Sequence, residues 1–330
     1  MGGYDLGFIY VPDCVGSAVV LTQNLIRSVI CDHNDIVFNR GPVKLIIINS
    51  GNANSLTGEI GATHLNQTIE KAAAIFACNV DEIGVASTGI IGVPLPIESI
   101  LTGLDQFIIH EKQGDKCAKA ILTTDLVEKK AIRSFKIQGE DVHIAGITKG
   151  SGMIAPNMAT TLGFIVTDLA LDNASCQSLL SAAIDVSYNM LSVDTDQSTN
   201  DMVSLQSSGT ISLSLSPEDM AVVQYELTEL CIDLAKQIAR DGEGAEHFLE
   251  VNVIGAQSKQ DARRVAKLVV DSPLVKTAIS GENSNWGRII MAIGKVKSKI
   301  DLTEISLSFG INKIIDLGKV IKTLNEKKIQ

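Results

Sequence analysis

The chain has 330 residues, of which 45% are hydrophobic, and it carries a formal net charge of −10 at pH 7. This length is enough for one large domain or two smaller ones. The acidic balance argues against a nucleic-acid-binding protein, which presents a basic face to phosphate, and an aromatic content of 4% argues against base-stacking platforms. The composition fits a soluble enzyme.

Cysteine, histidine and targeting patterns exclude several other classes of site. The six cysteines are scattered without a CxxC pair, which favours buried free thiols in a reducing cytosol. The five histidines show neither HxxxH nor HExxH spacing, so no metal site is expected. The N-terminus lacks a basic region followed by an apolar core, and no apolar run approaches the roughly 20 residues of a membrane helix. A cytoplasmic protein is the default expectation.

Hydrophobic periodicity in the first half of the chain predicts strands that alternate with helices. Strands are expected over residues 6–11, 43–49 and 83–86, and helices over residues 62–78, 97–110 and 115–122. The run 43–49 is nearly continuous in apolar residues, as in a strand that is buried on both faces. The segment 18–28 is apolar without a clear period, and Glu128-Lys129-Lys130 is typical of a solvated turn.

The second half adds hairpins to this alternation. We expect strands over residues 131–137, 142–147, 162–166, 202–206, 248–254, 305–309 and 312–316, and helices over residues 171–191, 216–239 and 259–270. Ser216-Pro217-Glu218-Asp219 is a clear helix start, with a Ser N-cap, Pro at the first helical position and acids in the first turn. The mixture of helices and hairpins predicts an α/β (α+β) fold with mixed sheets rather than a purely parallel sheet.

One stretch stands apart from these elements: Lys149-Gly150-Ser151-Gly152-Met153-Ile154-Ala155-Pro156-Asn157-Met158-Ala159-Thr160-Thr161. Its Gly, Pro and Asn residues are typical of a surface loop, but large apolar residues inside it and paired hydroxyls before a buried strand are unusual for a turn. A Thr in this place suits a self-cleaving N-terminal nucleophile. Its hydroxyl attacks the preceding carbonyl, the Ala159–Thr160 bond breaks, and the new α-amine acts as base for the hydroxyl. From residue types alone, ordinary strand threonines are the commoner explanation.

Other polar runs are ambiguous by themselves. Ser87-Thr88-Gly89-Ile90-Ile91-Gly92 fits a glycine turn or an oxyanion hole, in which glycine lets a backbone N–H approach the substrate. Thr123-Thr124-Asp125 reads as a helix end, and Asp241-Gly242-Glu243-Gly244-Ala245 as a C-cap turn with an exposed acid. The run from Asp194 to Asp201 is dense in carboxylates and hydroxyls, but it lacks the glycine and closing Glu of an EF-hand calcium loop.

Taken together, these motifs resemble the ornithine acetyltransferase family, the glutamate N-acetyltransferases of the cyclic arginine pathway. Residues 149–160 match the family's processing motif, and matches to other family motifs begin at Asn49, Ser87, Asp241 and Asn285. The resemblance spans about residues 5–316. It implies layered mixed β-sheets sandwiched by helices, a self-processing N-terminal-nucleophile architecture and a smaller C-terminal domain.

The resemblance also implies chains, substrates and roles. Cleavage would give an α chain, 1–159, that carries the oxyanion-hole side, and a β chain, 160–330, that begins at the nucleophile; family members assemble as α2β2. Thr160 would move an acetyl group from N2-acetylornithine to glutamate. The matching positions are Thr88 and Gly89 for the oxyanion hole and Thr123 (or Thr124), Lys149, Thr160 and Glu243 for substrate binding. No metal, resident cofactor, nucleic acid or membrane is implied, and the motif leaves open whether acetyl-CoA is a further acetyl donor.

The sequence departs from the family pattern in three places. In the family's Asp-Gly-Asp-Thr-Ser-Thr-Asn-Asp run, Thr195 replaces Gly and Gln197 replaces Thr, so the local backbone is expected to differ. Glu246-His247 replaces Thr-Lys. After Gly318 we find no equivalent of the C-terminal motif whose Asn and Thr reach the active site. Three alternatives therefore stay open: a catalytically impaired truncated homologue, a self-processing amidohydrolase or aminopeptidase, and a small-molecule binding protein.

Overall fold

The structure is a computed structural model that describes residues 5–109, 113–154 and 161–321. The chain divides into two compact units, Met1–Glu243 and Gly244–Gln330. The smaller C-terminal domain implied by the motifs is therefore confirmed. The Ala159–Thr160 bond lies outside the described residues, so the boundary between the α and β chains stays a prediction.

The larger unit alternates strands and helices. Its elements are β1 (Leu6–Tyr10), β2 (Gly16–Leu21), α1 (Val29–Arg40), β3 (Leu45–Asn49), α2 (Gly58–Phe76), β4 (Ile83–Ser87), α3 (Ile97–Leu104), α4 (Gly114–Ala120), β5 (Lys129–Ile137), β6 (Glu140–Lys149), β7 (Leu162–Leu169), α5 (Asn173–Asp185), β8 (Met202–Ile211) and α6 (Pro217–Arg240). The strands form one sheet in the order β1-β3-β4 and another in the order β2-β8-β7-β6-β5. Because β3 is parallel to β4 and β7 to β8 while the other neighbours are antiparallel, both sheets are mixed, as predicted.

The two sheets pack face to face, with α2 and α3 on the outer side of the three-stranded sheet and α5 and α6 on the outer side of the five-stranded sheet. Successive side chains of a strand point to opposite faces, and β3 shows the consequence. Ile46 and Ile48 share a core with Phe164 of β7, whereas Leu45 and Ile47 share another with α2 and α3. A third core joins the outer face of the five-stranded sheet to α5 and α6. This unit is a helix–sheet–sheet–helix sandwich, which confirms the predicted layers.

The sheet registers bring the ends of three strands to one edge. Lys149 at the end of β6 lies opposite Leu162 at the start of β7, and Leu162 lies opposite Met202 at the start of β8. β4 ends at Ser87 in the facing sheet. The motifs that follow β4 and β6 and precede β7 and β8 are therefore attached to strand ends.

Three element predictions for the larger unit need correction. Lys129 is not part of a solvated turn, because it begins β5 with a fully buried side chain. The helix expected over 171–191 ends at Asp185 and is followed by a short 3-10 turn, Tyr188–Met190. The helix expected over 97–110 ends at Leu104.

The smaller unit holds α7 (Lys259–Val270), α8 (Pro273–Ser280) and α9 (Gly287–Ile293), followed by β9 (Leu307–Phe309), β10 (Asn312–Asp316) and β11 (Lys319–Val320). These strands form an antiparallel sheet in the order β11-β10-β9. The strand predicted over 248–254 is wrong. Leu249 and Val251 pack alternately on the small core of this unit, but the segment has no strand assignment, so its alternation reflects packing alone.

The described part of the chain shows the state of the cysteines, the metal-ligating side chains and the helices that the composition raised. All six cysteines are free thiols, and four of them are buried. Within residues 5–109, 113–154 and 161–321, no cluster of three or more His, Cys, Asp or Glu side chains is arranged to hold a metal ion. In the same ranges, none of the helices is both long and apolar enough to cross a bilayer.

Candidate active site

Lys149 joins the processing motif to the predicted oxyanion-hole motif. Its Nζ donates a hydrogen bond to Thr88 Oγ1 at 3.1 Å, although the two residues are 61 positions apart. Lys149 is only 8% exposed. Burial lowers the pKa of its ammonium group, while the carboxylates of Asp125 and Asp201 act in the opposite direction. The structure therefore places two predicted site residues in direct contact inside the protein.

The Thr88 hydroxyl keeps a hydrogen available for a ligand. The Thr88 backbone N–H donates to Asn49 O at 3.1 Å, so it is already used. Thr88 Oγ1 accepts from Lys149, and a hydroxyl that accepts still has its own hydrogen to donate. Because the accepted bond comes from an ammonium group, it polarises the hydroxyl toward donation.

Gly89 fits its position because it has no side chain. Its φ is +133°, and a Cβ built on it would lie 2.2 Å from the Gly51 carbonyl carbon. The turn at 49–54 therefore packs directly on the predicted oxyanion-hole loop. Asn52 Nδ2 fixes that turn by donating to Val93 O at 2.9 Å and to Pro94 O at 3.1 Å. The run that begins at Asn49 thus has a supporting role.

Thr161, the residue directly after Thr160, is held at several points. Its hydroxyl donates to Lys149 O and shares a hydrogen bond of 3.0 Å with Thr148 Oγ1. Its carbonyl accepts from Met202 N at 2.9 Å. Ala159 and Thr160 themselves lie outside the described residues. The backbone that follows Thr160 is thus fixed beside Lys149.

The Thr123 segment reaches the same loop through Asp125. Asp125 Oδ2 accepts from Thr123 N at 3.2 Å, and Asp125 Oδ1 accepts from Gly150 N at 2.7 Å. Burial by itself would raise the pKa of Asp125, but Lys149, Lys129 and the Gly150 N–H outweigh it and hold the pKa below its usual value. Thr123 and Thr124 are both exposed, so either hydroxyl is accessible.

Glu243 lies along the other side of the 149–154 loop. Its backbone N–H donates to Ser151 O at 3.0 Å. Its carboxylate rests on Gly152, where a Cβ would lie 2.2 Å from Glu243 Oε2. The carboxylate is exposed and therefore available to a cationic ligand.

The acidic run 194–201, in which Thr195 and Gln197 depart from the family pattern, also holds the 149–154 loop. Asp194 accepts from Met153 N at 2.5 Å and from Ile154 N at 2.8 Å. Thr195 has a φ of +70°, in the left-handed region where a β-branched residue is strained. Replacing Gly by Thr has therefore not abolished the left-handed backbone at this position.

Asp201 is a buried group that sequence reasoning missed. It is 5% exposed, and its Oδ2 has no hydrogen-bond partner in the part of the chain that the structure describes. Burial raises the pKa of its carboxyl well above the usual value, although Lys149 and the Thr161 backbone N–H act in the opposite direction. Its position at the end of a polar run and before a strand was the available signal.

A cleft of about 1480 Å³ lies elsewhere on the larger unit. It is lined by β1, by parts of α4, β5 and β6, and by apolar side chains such as Phe8, Phe107 and Phe164. Among the predicted site residues that the structure describes, none lines it. Its size therefore does not identify the catalytic centre, which the motifs place at the strand ends.

Comparisons with known proteins identify the family. The ArgJ family model matches residues 2–330. The arginine biosynthesis bifunctional protein ArgJ of Bacillus cereus is 41% identical over 310 residues, which cover 92% of this chain and 76% of that protein. The protein of the same name from Bartonella henselae is 39% identical over 331 residues, which cover 98% of this chain and 81% of that one.

Two similar proteins have solved structures. The arginine biosynthesis bifunctional protein argJ from Bacillus halodurans has a TM-score of 0.44 and 34% identity, covering 46% of this chain and 82% of that one. Ornithine acetyltransferase from Mycobacterium tuberculosis, complexed with ornithine, has a TM-score of 0.40 and 30% identity over 46% and 83% of the two chains. With the family model spanning nearly the whole sequence, this chain belongs to the ArgJ family, the ornithine acetyltransferases and glutamate N-acetyltransferases that its motifs predict.

Proposed function

We propose that this chain is a self-cleaving acyltransferase that moves an acetyl group from N2-acetylornithine to glutamate through an acetyl ester on Thr160. The observation that carries the proposal is the 3.1 Å hydrogen bond between Lys149 and Thr88. It joins the start of the processing motif to a polarised hydroxyl directly after β4 of the other sheet. The names of the relatives, which are arginine biosynthesis bifunctional proteins, support the same activity.

Self-cleavage comes first. Thr160 Oγ1 attacks the Ala159 carbonyl carbon, and the Thr160 nitrogen leaves as a free amine when the chain shifts to an ester. Water then hydrolyses the ester, which releases the Ala159 carboxylate and restores the Thr160 hydroxyl. The bonds that fix Thr161 support this step, because they limit the movement of the backbone that follows the nucleophile.

Acetyl transfer uses the new N-terminus. The Thr160 α-amine takes the proton of its own hydroxyl, and Oγ1 attacks the acetyl carbonyl of N2-acetylornithine. The Thr88 hydroxyl and the Gly89 N–H stabilise the oxyanion, and the proton passes to the departing ornithine amine. The amine of glutamate then attacks the acetyl ester, which yields N-acetylglutamate and frees Thr160.

Charge complementarity assigns the substrate contacts. The Lys149 ammonium suits the α-carboxylate that both amino acids carry, and the exposed Glu243 carboxylate suits the free α-amino group of glutamate and of the released ornithine. Thr123, on the segment tied to Gly150 through Asp125, supplies a hydroxyl contact. We further propose that α and β chains assemble as α2β2 and that acetyl-CoA is a candidate second acetyl donor.

The experiment combines intact mass under denaturing conditions with an acetyl-transfer assay. Wild-type protein is expected as two fragments, the second beginning at Thr160, and Thr160→Ala as one chain without transfer. Thr63→Ala, an exposed helical threonine, is the matched control and should behave as wild type. Acetyl transfer by Thr160→Ala would overturn the proposal. Release of acetate from N2-acetylornithine at an equal rate without glutamate would indicate a hydrolase instead, and a parallel reaction with acetyl-CoA tests the second donor.

A further inference from the structure

Lys129 is a buried cation to which the proposed reaction gives no role. Its side chain is 0% exposed, and its Nζ donates to Asp125 Oδ1 and to Asp241 Oδ2, both at 2.6 Å. A third bond runs to Val127 O at 3.2 Å. An ammonium group has three hydrogens, so these bonds use all of them. The arrangement also places two carboxylates against one buried cation, which needs further donors to be tolerated.

Those further donors come from segments of the candidate active site. Asp125 accepts from Gly150 N at 2.7 Å and from Thr123 N at 3.2 Å. Asp241 Oδ2 accepts from Leu126 N at 3.0 Å. The backbone of the Thr123 segment and that of the processing loop are therefore attached to the same ion cluster.

The Glu243 segment is attached to the cluster through Asp241. Asp241 O accepts from Ser151 Oγ at 2.9 Å, and Ser151 O accepts from Glu243 N at 3.0 Å. Three chain segments, 123–125, 149–151 and 241–243, thus meet around one ammonium group. Each of them carries a residue predicted to bind substrate.

We propose that Lys129 is a positioning residue, which sets the spacing between the Thr123, Lys149 and Glu243 segments and so determines how tightly the amino-acid substrate binds. The inference rests on the proposed function, because that function assigns these three segments to the substrate. Lys129 acts through its two carboxylate partners and touches no reacting atom.

The chemistry of the cluster favours positioning over stability alone. A buried ion pair contributes little net stability compared with apolar side chains of similar volume, because desolvation offsets the attraction. Arg133, four residues along the same strand, shows the ordinary alternative. It pairs with Asp233 at 2.9 Å on a partly exposed face, and its guanidinium also donates to the carbonyl oxygens of Ile132 and Glu229.

The predicted oxyanion-hole residue Thr88 and the residue after the nucleophile, Thr161, are held by other contacts. The hydrogen bonds described for Thr88 and Thr161 go to Lys149, Asn49, Thr148, Met202 and Asp201, and none of them is made to Lys129, Asp125 or Asp241 themselves. Self-cleavage depends on these contacts of Thr88 and Thr161. Loss of the cluster should therefore weaken substrate binding while self-cleavage continues, and this separation is what a purely structural role does not predict.

The test uses the full chain with the three charges removed together, Lys129→Met/Asp125→Asn/Asp241→Asn. Each asparagine keeps one oxygen, which can accept from Gly150 N at position 125 and from Leu126 N at position 241, and the cluster itself carries no charge, so this variant is expected to fold. Arg133→Met is the matched control, since it removes a cation from the same strand outside the cluster. Intact mass, thermal unfolding, and kcat and KM for N2-acetylornithine are measured.

We expect complete self-cleavage and a kcat within about three-fold of wild type, but a KM raised roughly ten-fold, because weakening a charged hydrogen bond to the substrate costs about ten-fold in affinity. Arg133→Met should keep the wild-type KM. A folded, cleaved triple variant with a wild-type KM would overturn the inference. If the triple variant does not fold, Asp241→Asn decides, since it keeps the Lys129–Asp125 pair: a KM rise of about three-fold supports the inference and an unchanged KM contradicts it. Wild-type protein that neither cleaves nor transfers overturns the proposed function instead.

Discussion

Two buried lysines on neighbouring strands, Lys129 at the start of β5 and Lys149 at the end of β6, are used in opposite ways. Every hydrogen of the Lys129 ammonium is donated, to two carboxylates and a carbonyl. For Lys149 the described residues provide one hydrogen-bond acceptor, Thr88 Oγ1, and the nearby Asp201 keeps a free oxygen. A saturated cation holds the protein together, whereas an unsaturated one keeps donors for a ligand. The following predictions test this difference.

The largest effect is expected on stability. Lys129→Met alone leaves two buried carboxylates without their cation and should lower the free energy of unfolding by about 3–5 kcal/mol. Urea unfolding followed by circular dichroism measures the loss. Arg133→Met, which breaks a partly exposed pair, should cost only about 1 kcal/mol or less. Equal losses for the two variants would contradict the saturated role of Lys129.

The next effect is expected on activity. Lys149→Met removes the charge that suits the substrate carboxylate and the donor that polarises Thr88, so kcat/KM should fall by about 10²–10³-fold. The free energy of unfolding should change by about 1 kcal/mol or less, because burying the ammonium carries its own cost. Steady-state kinetics and urea unfolding of one preparation check both values. If Lys149→Met lost stability but kept its kcat/KM, Lys149 would stabilise the fold, as Lys129 does, and would not serve a ligand.

A smaller effect isolates Glu243 from the Lys129 cluster. In Gly152→Ala the new methyl group would lie 2.2 Å from Glu243 Oε2, so the carboxylate must move while the cluster stays intact. We expect the KM for glutamate to rise about ten-fold with an unchanged Tm, because only the end of a flexible side chain is displaced. Gly41→Ala, where nothing lies within 4 Å of the new methyl group, is the control. Unchanged KM in Gly152→Ala would remove Glu243 from the substrate contacts.

The smallest effect is a change in pH dependence. Burial raises the pKa of Asp201 in the folded protein, so its stabilising contribution is present below the unfolded pKa of about 3.9 and is lost as pH rises through the folded pKa. The stability of wild type relative to Asp201→Asn should therefore fall as pH rises from about 4. Unfolding measured at a series of pH values tests this sign.

Local signals made part of this molecule predictable from its sequence. The helix Lys259–Val270 matches its expected limits, and α6 begins after Ser216 with the predicted cap, in which the Ser216 side chain accepts from Asp219 N. The predicted strands of the two sheets also hold, because their apolar periods arise from faces that are buried. The contact between Thr88 and Lys149 followed only from the motif resemblance.

The wrong predictions and the missed residue depend on contacts between residues that are far apart in the sequence. Lys129 reads as a turn residue because lysine is usually solvated, and its burial depends on Asp241, 112 positions later. The segment 248–254 alternates like a strand, yet sheet pairing requires a neighbour that local sequence does not specify. Asp201 was missed for the same reason, since its burial beside Lys149 depends on the register of β7 and β8.

The pairing of β6 with β7 has a consequence for the proposed cleavage. Residues Ile144 to Lys149 pair with Leu162 to Thr167 in the interior of the five-stranded sheet, and the Ala159–Thr160 bond lies in the connection between these two strands. A cut there nicks the polypeptide but leaves β6 of one fragment hydrogen-bonded to β7 of the other. The two fragments would separate only when the sheet unfolds. Cleaved protein should therefore migrate as a single species under native conditions and divide into two only in denaturant.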